Sequence, residues 1–215
     1  PACAIPALPH QFFGHYQIVR EIASGGLGTV HGAIDSFTGR TACVKLLRDE
    51  LFSDPSFVSD FAREAQIAAS INHPNVVQVY EFAQSEGAYF LAMEFLDHGT
   101  LQSRMAAGPI PETDILKIAL DVARGLQAAS AKGLLHRDVK PGNILFDSFH
   151  RAKLVDFGLS LPVDETRRQH GLVWGSPYYI APERLGGEAE DFRSDIYSLG
   201  ATIFHAAAGR PLFQA

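Results

Sequence analysis

The chain has 215 residues, 47% of them hydrophobic and 20% charged, with 18 Lys and Arg against 24 Asp and Glu and a net charge of -6. That composition supports a folded core and excludes disordered, collagen-like and low-complexity classes, for which 19 Gly and 12 Pro are too few. Mild acidity argues against a nucleic-acid binder, which needs a basic surface to displace phosphate counterions. Pro1 to Pro9 lacks the basic region of a signal peptide, and Leu199 to Ala208, interrupted by His205, is too short to cross a bilayer. The two cysteines, Cys3 and Cys43, make no metal-ligand spacing, and Cys43 reads as a buried thiol in a strand, as expected in a reducing compartment. A cytoplasmic chain with no membrane segment is the expectation, either alone or as the cytoplasmic part of a longer anchored protein.

In chain order, Tyr16 to Ile22, Thr29 to Ile34 and Thr41 to Leu47 read as strands, the last two joined by a Ser36-Phe37-Thr38-Gly39 turn. A helix follows, capped by Asp54 with Pro55 in its first turn, and Val58, Phe61, Ala65 and Ala68 recur at helical spacing. Asn72-His73-Pro74-Asn75 ends it, and Val76 to Phe82 and Ala88 to Phe95 read as two more strands. Beyond residue 98 the pattern turns helical. Ile115, Ile118, Ala119, Val122, Leu126 and Ala129 form one apolar face, which Gly133 terminates. Ile144 to Phe146 and Ala152 to Val155 suggest a small hairpin, and Asp195 opens a final helix running to about Ala208. The expected layout is two unequal lobes with a joint near Glu94 to Gly99, where a cleft would form.

The cluster Ser24-Gly25-Gly26-Leu27-Gly28 lies between two strands, where peptide N–H groups can approach anionic oxygens unobstructed. Alone it reads equally well as a plain glycine hairpin, and it is no Walker A loop because no Gly-Lys-Ser or Gly-Lys-Thr ends it. Lys45 interrupts an apolar strand, where an unpaired ammonium would be costly to bury. Glu64 falls on or beside the apolar face of the first helix and could pair with it, although a snorkelling Lys and a surface Glu are open alternatives.

The segment His136-Arg137-Asp138-Val139-Lys140-Pro141-Gly142-Asn143, then Asp156-Phe157-Gly158, then Ala181-Pro182-Glu183 resembles the eukaryotic-type protein kinases, particularly their bacterial Ser/Thr branch. The resemblance runs from about Tyr16 to Phe213. It implies an α+β, protein-kinase-like fold: a small antiparallel-sheet N-lobe with one helix over residues 16–95, after an extension at 1–15, and a mainly helical, incomplete C-lobe over 96–215. It implies ATP and magnesium as cofactors, with manganese as an alternative, and a protein Ser or Thr hydroxyl as acceptor.

Position by position, Ser24, Gly25, Gly26 and Gly28 would cover the nucleotide phosphates, and Val30 would pack on the adenine. Lys45 would hold the α and β phosphates, with Glu64 fixing Lys45. Asp138 would orient the acceptor hydroxyl and take its proton, and Lys140 would neutralise the transferring group. Asn143 and Asp156 would ligate the metal. Ala42 would line the adenine pocket, Met93 would be the gatekeeper, and the Glu94 to Leu96 backbone would bond the adenine edge. His136 would be structural, and Asp195 would anchor the catalytic loop through backbone amides. Residues 156–183 resemble an activation loop. Arg137 could pair there with a phosphorylated residue, and self-phosphorylation has Thr166 and Ser176 as candidates, Ser176 fitting a structural or substrate-positioning role better.

Two departures stand out. Ala23 replaces the first glycine of the phosphate loop, and the family continues into further helices where this sequence stops, so the late Arg that pairs with Glu183 has no counterpart. A longer parent is therefore expected. The rival expectation is a catalytically inactive kinase-fold fragment that binds nucleotide or a partner.

Overall fold

The computed structural model describes residues 11–26, 28–48, 55–157, 177–185 and 191–213. Expectations for Cys3, Asp54, Thr166 and Ser176 lie outside the described residues. The chain divides into two compact units: one runs up to Ala69 and adds Gln78–Phe95, and the other combines Ser70–Val77 with the chain from Leu96 onward. Sheet and one helix make up the first, and helices dominate the second, in keeping with the expected α+β class.

In the first unit six strands run antiparallel in the order β1-β2-β3-β4-β6-β5: β1 (Phe12–Phe13), β2 (Tyr16–Gly25), β3 (Gly28–Asp35), β4 (Thr41–Leu47), β5 (Val79–Ser85) and β6 (Ala88–Glu94). The sheet starts earlier than the expected Tyr16, because Phe12 and Phe13 pair with Gln17 and Tyr16. Phe13 thereby joins a core of Tyr16, Ile18, Ala33, Ala42, Val44, Phe90 and Ala92. Asp35 closes the β3–β4 turn by accepting the amides of Phe37 and Thr38 at 3.0 and 3.2 Å. Of the four positions its spacing predicts, the helix α1 (Pro55–Ala69) buries Phe61, Ala65 and Ala68 and leaves Val58 half-buried, and Phe61 packs on Phe82 of β5 with ring centroids 5.0 Å apart.

The second unit contains α2 (Leu101–Ala107), α3 (Glu112–Ser130), the hairpin β7 (Ile144–Phe146) and β8 (Ala152–Leu154), the single turn α4 (Pro182–Leu185) and α5 (Phe192–Ala208). The predicted face of α3 is buried at Ile115, Ile118, Val122, Leu126 and Ala129, and only Ala119 is half-exposed. Gly133 sits just past its end with φ +72°.

Two expectations are corrected. Val76 to Phe82 is not one strand. Asn75 is buried, its side-chain NH2 donates to Ala152 O at 2.9 Å, and Val77 N donates to Leu154 O at 2.9 Å, so 75–77 belong with β8 and the outer strand begins at Val79. Nor does Asp195 open the last helix. Asp191 is its N-cap, accepting the amide of Arg193 at 2.8 Å, which leaves Asp195 a turn inside with another role. No helix among the described residues is long and apolar enough to cross a membrane.

Candidate active site

In the first unit, Gly25 and Gly28 are direct partners where β2 turns into β3, and Ser24, Gly25 and Gly26 are exposed. Gly28 has a steric reason to be glycine: a Cβ there would fall 1.8 Å from the Leu46 carbonyl oxygen, at φ +152°. Gly25 has none, since a Cβ would meet nothing within 4 Å.

Strand pairing sorts the remaining residues onto two faces. Lys45, only 5% exposed, lies directly across from Val30 on one side and Leu91 on the other, and Cys43 across from Met93. Val30, Cys43, Lys45 and Met93 therefore share a face. Ala42 does not. It is fully buried among Ala33, Val44 and Ala92 on the opposite face, so the expected adenine-lining residue faces the aromatic core, and half-buried Cys43 occupies that level of the Lys45 face. Glu64 is half-buried on α1. The Glu94 amide donates to Gln78 O at 2.8 Å, whereas among the described residues no backbone bond engages Leu96.

In the second unit, the turn after α3 leads into the loop His136–Asn143. Lys140 Nζ reaches Asp138 Oδ2 at 2.6 Å, and Asn143 Nδ2 donates to the same oxygen at 2.8 Å and to Asp138 O at 2.9 Å. Both donors converge on Oδ2. Among the described residues nothing donates to Oδ1, which leaves that oxygen able to accept a hydroxyl proton. Committing Asn143 Nδ2 to Asp138 also turns Asn143 Oδ1 away as an acceptor, which suits a hard cation. The Val155 amide donates to Asn143 O at 3.1 Å, so Asp156 follows a residue tied to Asn143. Asp156 (φ +63°) and Arg137 (φ +67°) both hold left-handed backbone without being glycine, a strain found where surrounding structure fixes a functional group. No cluster of three or more His, Cys, Asp or Glu residues that could hold a metal exists among the described residues. One amide and one carboxylate would instead fit magnesium, which keeps water and phosphate oxygens in its shell.

His136 is fully buried and structural. Its Nε2–H donates to Val155 O at 2.9 Å, and its Nδ1 accepts the Asp138 amide at 3.3 Å, a pair of bonds that requires the neutral ring. Burial holds its pKa below the usual 6.5, outweighing the Asp195 and Asp138 carboxylates. Asp195, 5% exposed, accepts the amides of His136 and Arg137, each at 2.8 Å, as the resemblance implies for an anchor of this loop.

Beside Asp195, α5 carries further polar groups that no motif in the sequence singles out. Thr202 Oγ1 donates to Val139 O at 3.3 Å, Ser194 Oγ to Glu183 Oε1 at 2.6 Å, and Ser198 Oγ to Tyr179 O at 2.7 Å. The Tyr179 hydroxyl meets His205 Nδ1 at 2.7 Å. Glu183 is held by a serine, and that hydrogen bond first, then a backbone amide, lowers its pKa. The available signal was polar residues at 194, 198, 202 and 205, near-helical steps along an otherwise apolar helix.

The family model described as the protein kinase domain matches residues 16–215. The serine/threonine-protein kinase PrkC of Bacillus subtilis is 36% identical over 203 residues, covering 94% of this chain and 31% of PrkC. The serine/threonine-protein kinase PknA of Mycobacterium tuberculosis is 39% identical over 207 residues, covering 93% of this chain and 48% of PknA. A crystal structure of the M. tuberculosis PknI kinase domain matches with a TM-score of 0.80 at 30% identity, over 97% of this chain and 78% of that one. The chain thus spans between 31% and 48% of the length of these curated relatives.

Proposed function

The chain belongs to the protein kinase domain family, and from that premise we propose that it transfers the γ-phosphoryl group of ATP to a Ser or Thr hydroxyl of a protein substrate. One observation carries the reading: Asp138 has one oxygen gripped by Lys140 and Asn143 and the other left for an acceptor. Phosphoryl transfer needs little covalent help from the protein and much positioning and charge neutralisation.

Asp138 orients the hydroxyl and receives its proton as the oxygen attacks. Lys140 offsets charge on the transferring group. Asn143 Oδ1 and Asp156 hold magnesium, or manganese, which when bound supplies charge neutralisation at the phosphates. Lys45 contacts the α and β phosphates; buried as it is, its ammonium needs an anionic partner, and Glu64 is the one assigned. Ser24, Gly25, Gly26 and Gly28 offer backbone N–H groups to phosphate, Val30, Cys43 and Met93 offer apolar surface to adenine, and Leu96 with the Glu94 carbonyl offers backbone groups to its edge. Self-phosphorylation at Thr166 or Ser176 and a cytoplasmic location belong to the same proposal.

The test is transfer of labelled phosphate from ATP to a Ser/Thr protein acceptor. Asp138→Asn is expected to lower kcat about 10³-fold while nucleotide still binds, because the proton acceptor is lost and the fold is not. Equal transfer by the two proteins would overturn the assigned roles. Nucleotide binding without transfer in the unsubstituted protein would favour a binding module instead.

A further inference from the structure

Helix α5 holds two separate stretches of chain in the second unit. Asp195 and Thr202 fix the catalytic loop, through the amides of His136 and Arg137 and the carbonyl of Val139, the residue next to Asp138. Ser194, Ser198 and His205 fix residues 179–183, through Glu183, the Tyr179 carbonyl and the Tyr179 hydroxyl. The same rigid element therefore sets the position of the proton acceptor and of the chain directly after the Gly175-Ser176 pair. Of these bonds, the one between Tyr179 and His205 is the one a proton can rewrite near neutral pH.

We infer that His205 is a positioning residue: its neutral imidazole, acting through Tyr179, holds the segment that receives the phosphoryl acceptor, so that acidification weakens acceptor binding without altering nucleotide binding. This rests on the kinase reading above. With the ring neutral and its proton on Nε2, the phenol donates to Nδ1 across 2.7 Å, and the rings lie 20° from parallel with centroids 6.0 Å apart. Protonation inverts the bond. Nδ1–H must then donate to the phenol oxygen, and the phenol proton exchanges its imidazole acceptor for solvent at this half-buried pair.

The last turn of α5 favours a cation at His205, but no ion pair among the described residues compensates the new charge. The groups facing the ring from the Pro177–Tyr179 turn are the Tyr179 phenol and, behind it, Tyr178, with its centroid 6.4 Å from that of Tyr179. From α3, Arg124 lines the groove beside Asp195 and Ile196 rather than His205. Beyond the end of α5, Arg210 lies over Phe204 at 5.7 Å. No carboxylate contacts the imidazole among the described residues. Burial accordingly lowers the pKa of His205 below 6.5 and raises that of Tyr179, which keeps the neutral pair intact at neutral pH and places the change on the acid side.

The experiment measures KM for casein, used as a generic Ser/Thr acceptor, and KM for ATP across the acid range in the full-length protein. It compares Tyr179→Phe and His205→Asn with the unsubstituted chain. Asn places an amide oxygen close to where Nδ1 stands and does not titrate. The casein KM of the unsubstituted protein is expected to rise about fivefold on acidification, the size of one net hydrogen bond. Tyr179→Phe should show the raised value at every pH, and His205→Asn should remove most of the acid rise, with ATP KM following one common pH curve in all three. An acid limb shared by all three, or ATP KM and kcat moving with casein KM, overturns the inference while leaving the kinase reading intact. Absence of transfer in the unsubstituted protein overturns the kinase reading. In that case an NMR titration of His205 that Tyr179→Phe leaves unchanged overturns the contact itself.

Discussion

Asp195 is a buried carboxylate whose two oxygens each accept one backbone amide of the catalytic loop. Removing it would leave the His136 and Arg137 N–H groups without acceptors, His136 being fully buried. Asp195→Ala is therefore expected to cost about 3 kcal/mol, near the sum of two lost charge-assisted bonds, and Asp195→Asn, which keeps one carbonyl acceptor, about half as much. Urea unfolding checks both values, and a loss under about 1 kcal/mol for Asp195→Ala would show that the loop holds its shape by other means. Motif order singled out Asp138, Lys140, Asn143 and Asp195 in the sequence, and the structure brings the first three together and ties Asp195 to the amides of their loop. Ala42 was misplaced for a simple reason. A strand alternates faces, and counting back two from Lys45 reaches Cys43, not Ala42. The Tyr179–His205 pair was invisible because 26 residues separate its members and no local pattern links them.

At the scale of elements, the β2–β3 hairpin separates two reasons for keeping glycine. A methyl group at Gly28 would strike the backbone of Leu46 and Leu47, which cannot yield without parting β3 from β4. Gly28→Ala is expected to cost about 2 kcal/mol or more, read as a lower thermal midpoint. Gly25→Ala meets open space, so its stability should stay within about 0.5 kcal/mol, and any change belongs in ATP KM. A Gly25→Ala protein with both stability and ATP KM unchanged would remove Gly25 from the phosphate role. Helices α1 and α3 were readable from apolar spacing because each buries a single face. The start of β5 was not. Asn75 reads locally as a turn residue, yet its side chain and carbonyl bond Ala152 and Leu154, more than 70 positions away, and that pairing takes Val76 and Val77 into the second unit. The start of α5 was misread for a related reason: Asp191 and Asp195 both suit an N-cap, and only the tertiary bonds of Asp195 distinguish them.

Across the whole molecule, the groups that couple stability to pH are unevenly divided. His73, His136 and His205 all lie in the second unit, and burial, the largest cause for each, lowers their pKa values below 6.5. An unfolded chain binds protons at these histidines before the folded chain does. Their stability contribution is therefore fully present above 6.5 and is lost as pH falls from there through the lowered folded values. The carboxylates act in the same direction but later. Asp35 in the first unit is lowered chiefly by its hydrogen bond with Thr38, and Asp147 in the second by Arg151 and Phe149 in spite of burial, so both lose their contribution only as pH falls below their usual 3.8. Acidification should accordingly loosen the second unit first. Hydrogen exchange, corrected for intrinsic rates, is expected to show reduced protection in α3 and α5 as pH falls below 6.5 while β2–β4 keep theirs until the carboxylate range. Simultaneous loss in both units near pH 4 would mean that the buried histidines do not set the acid limit. Earlier loss in the second unit would tie the acid limit to the unit that contains the catalytic loop, because His136, whose neutral ring that loop requires, is among the groups that must be protonated.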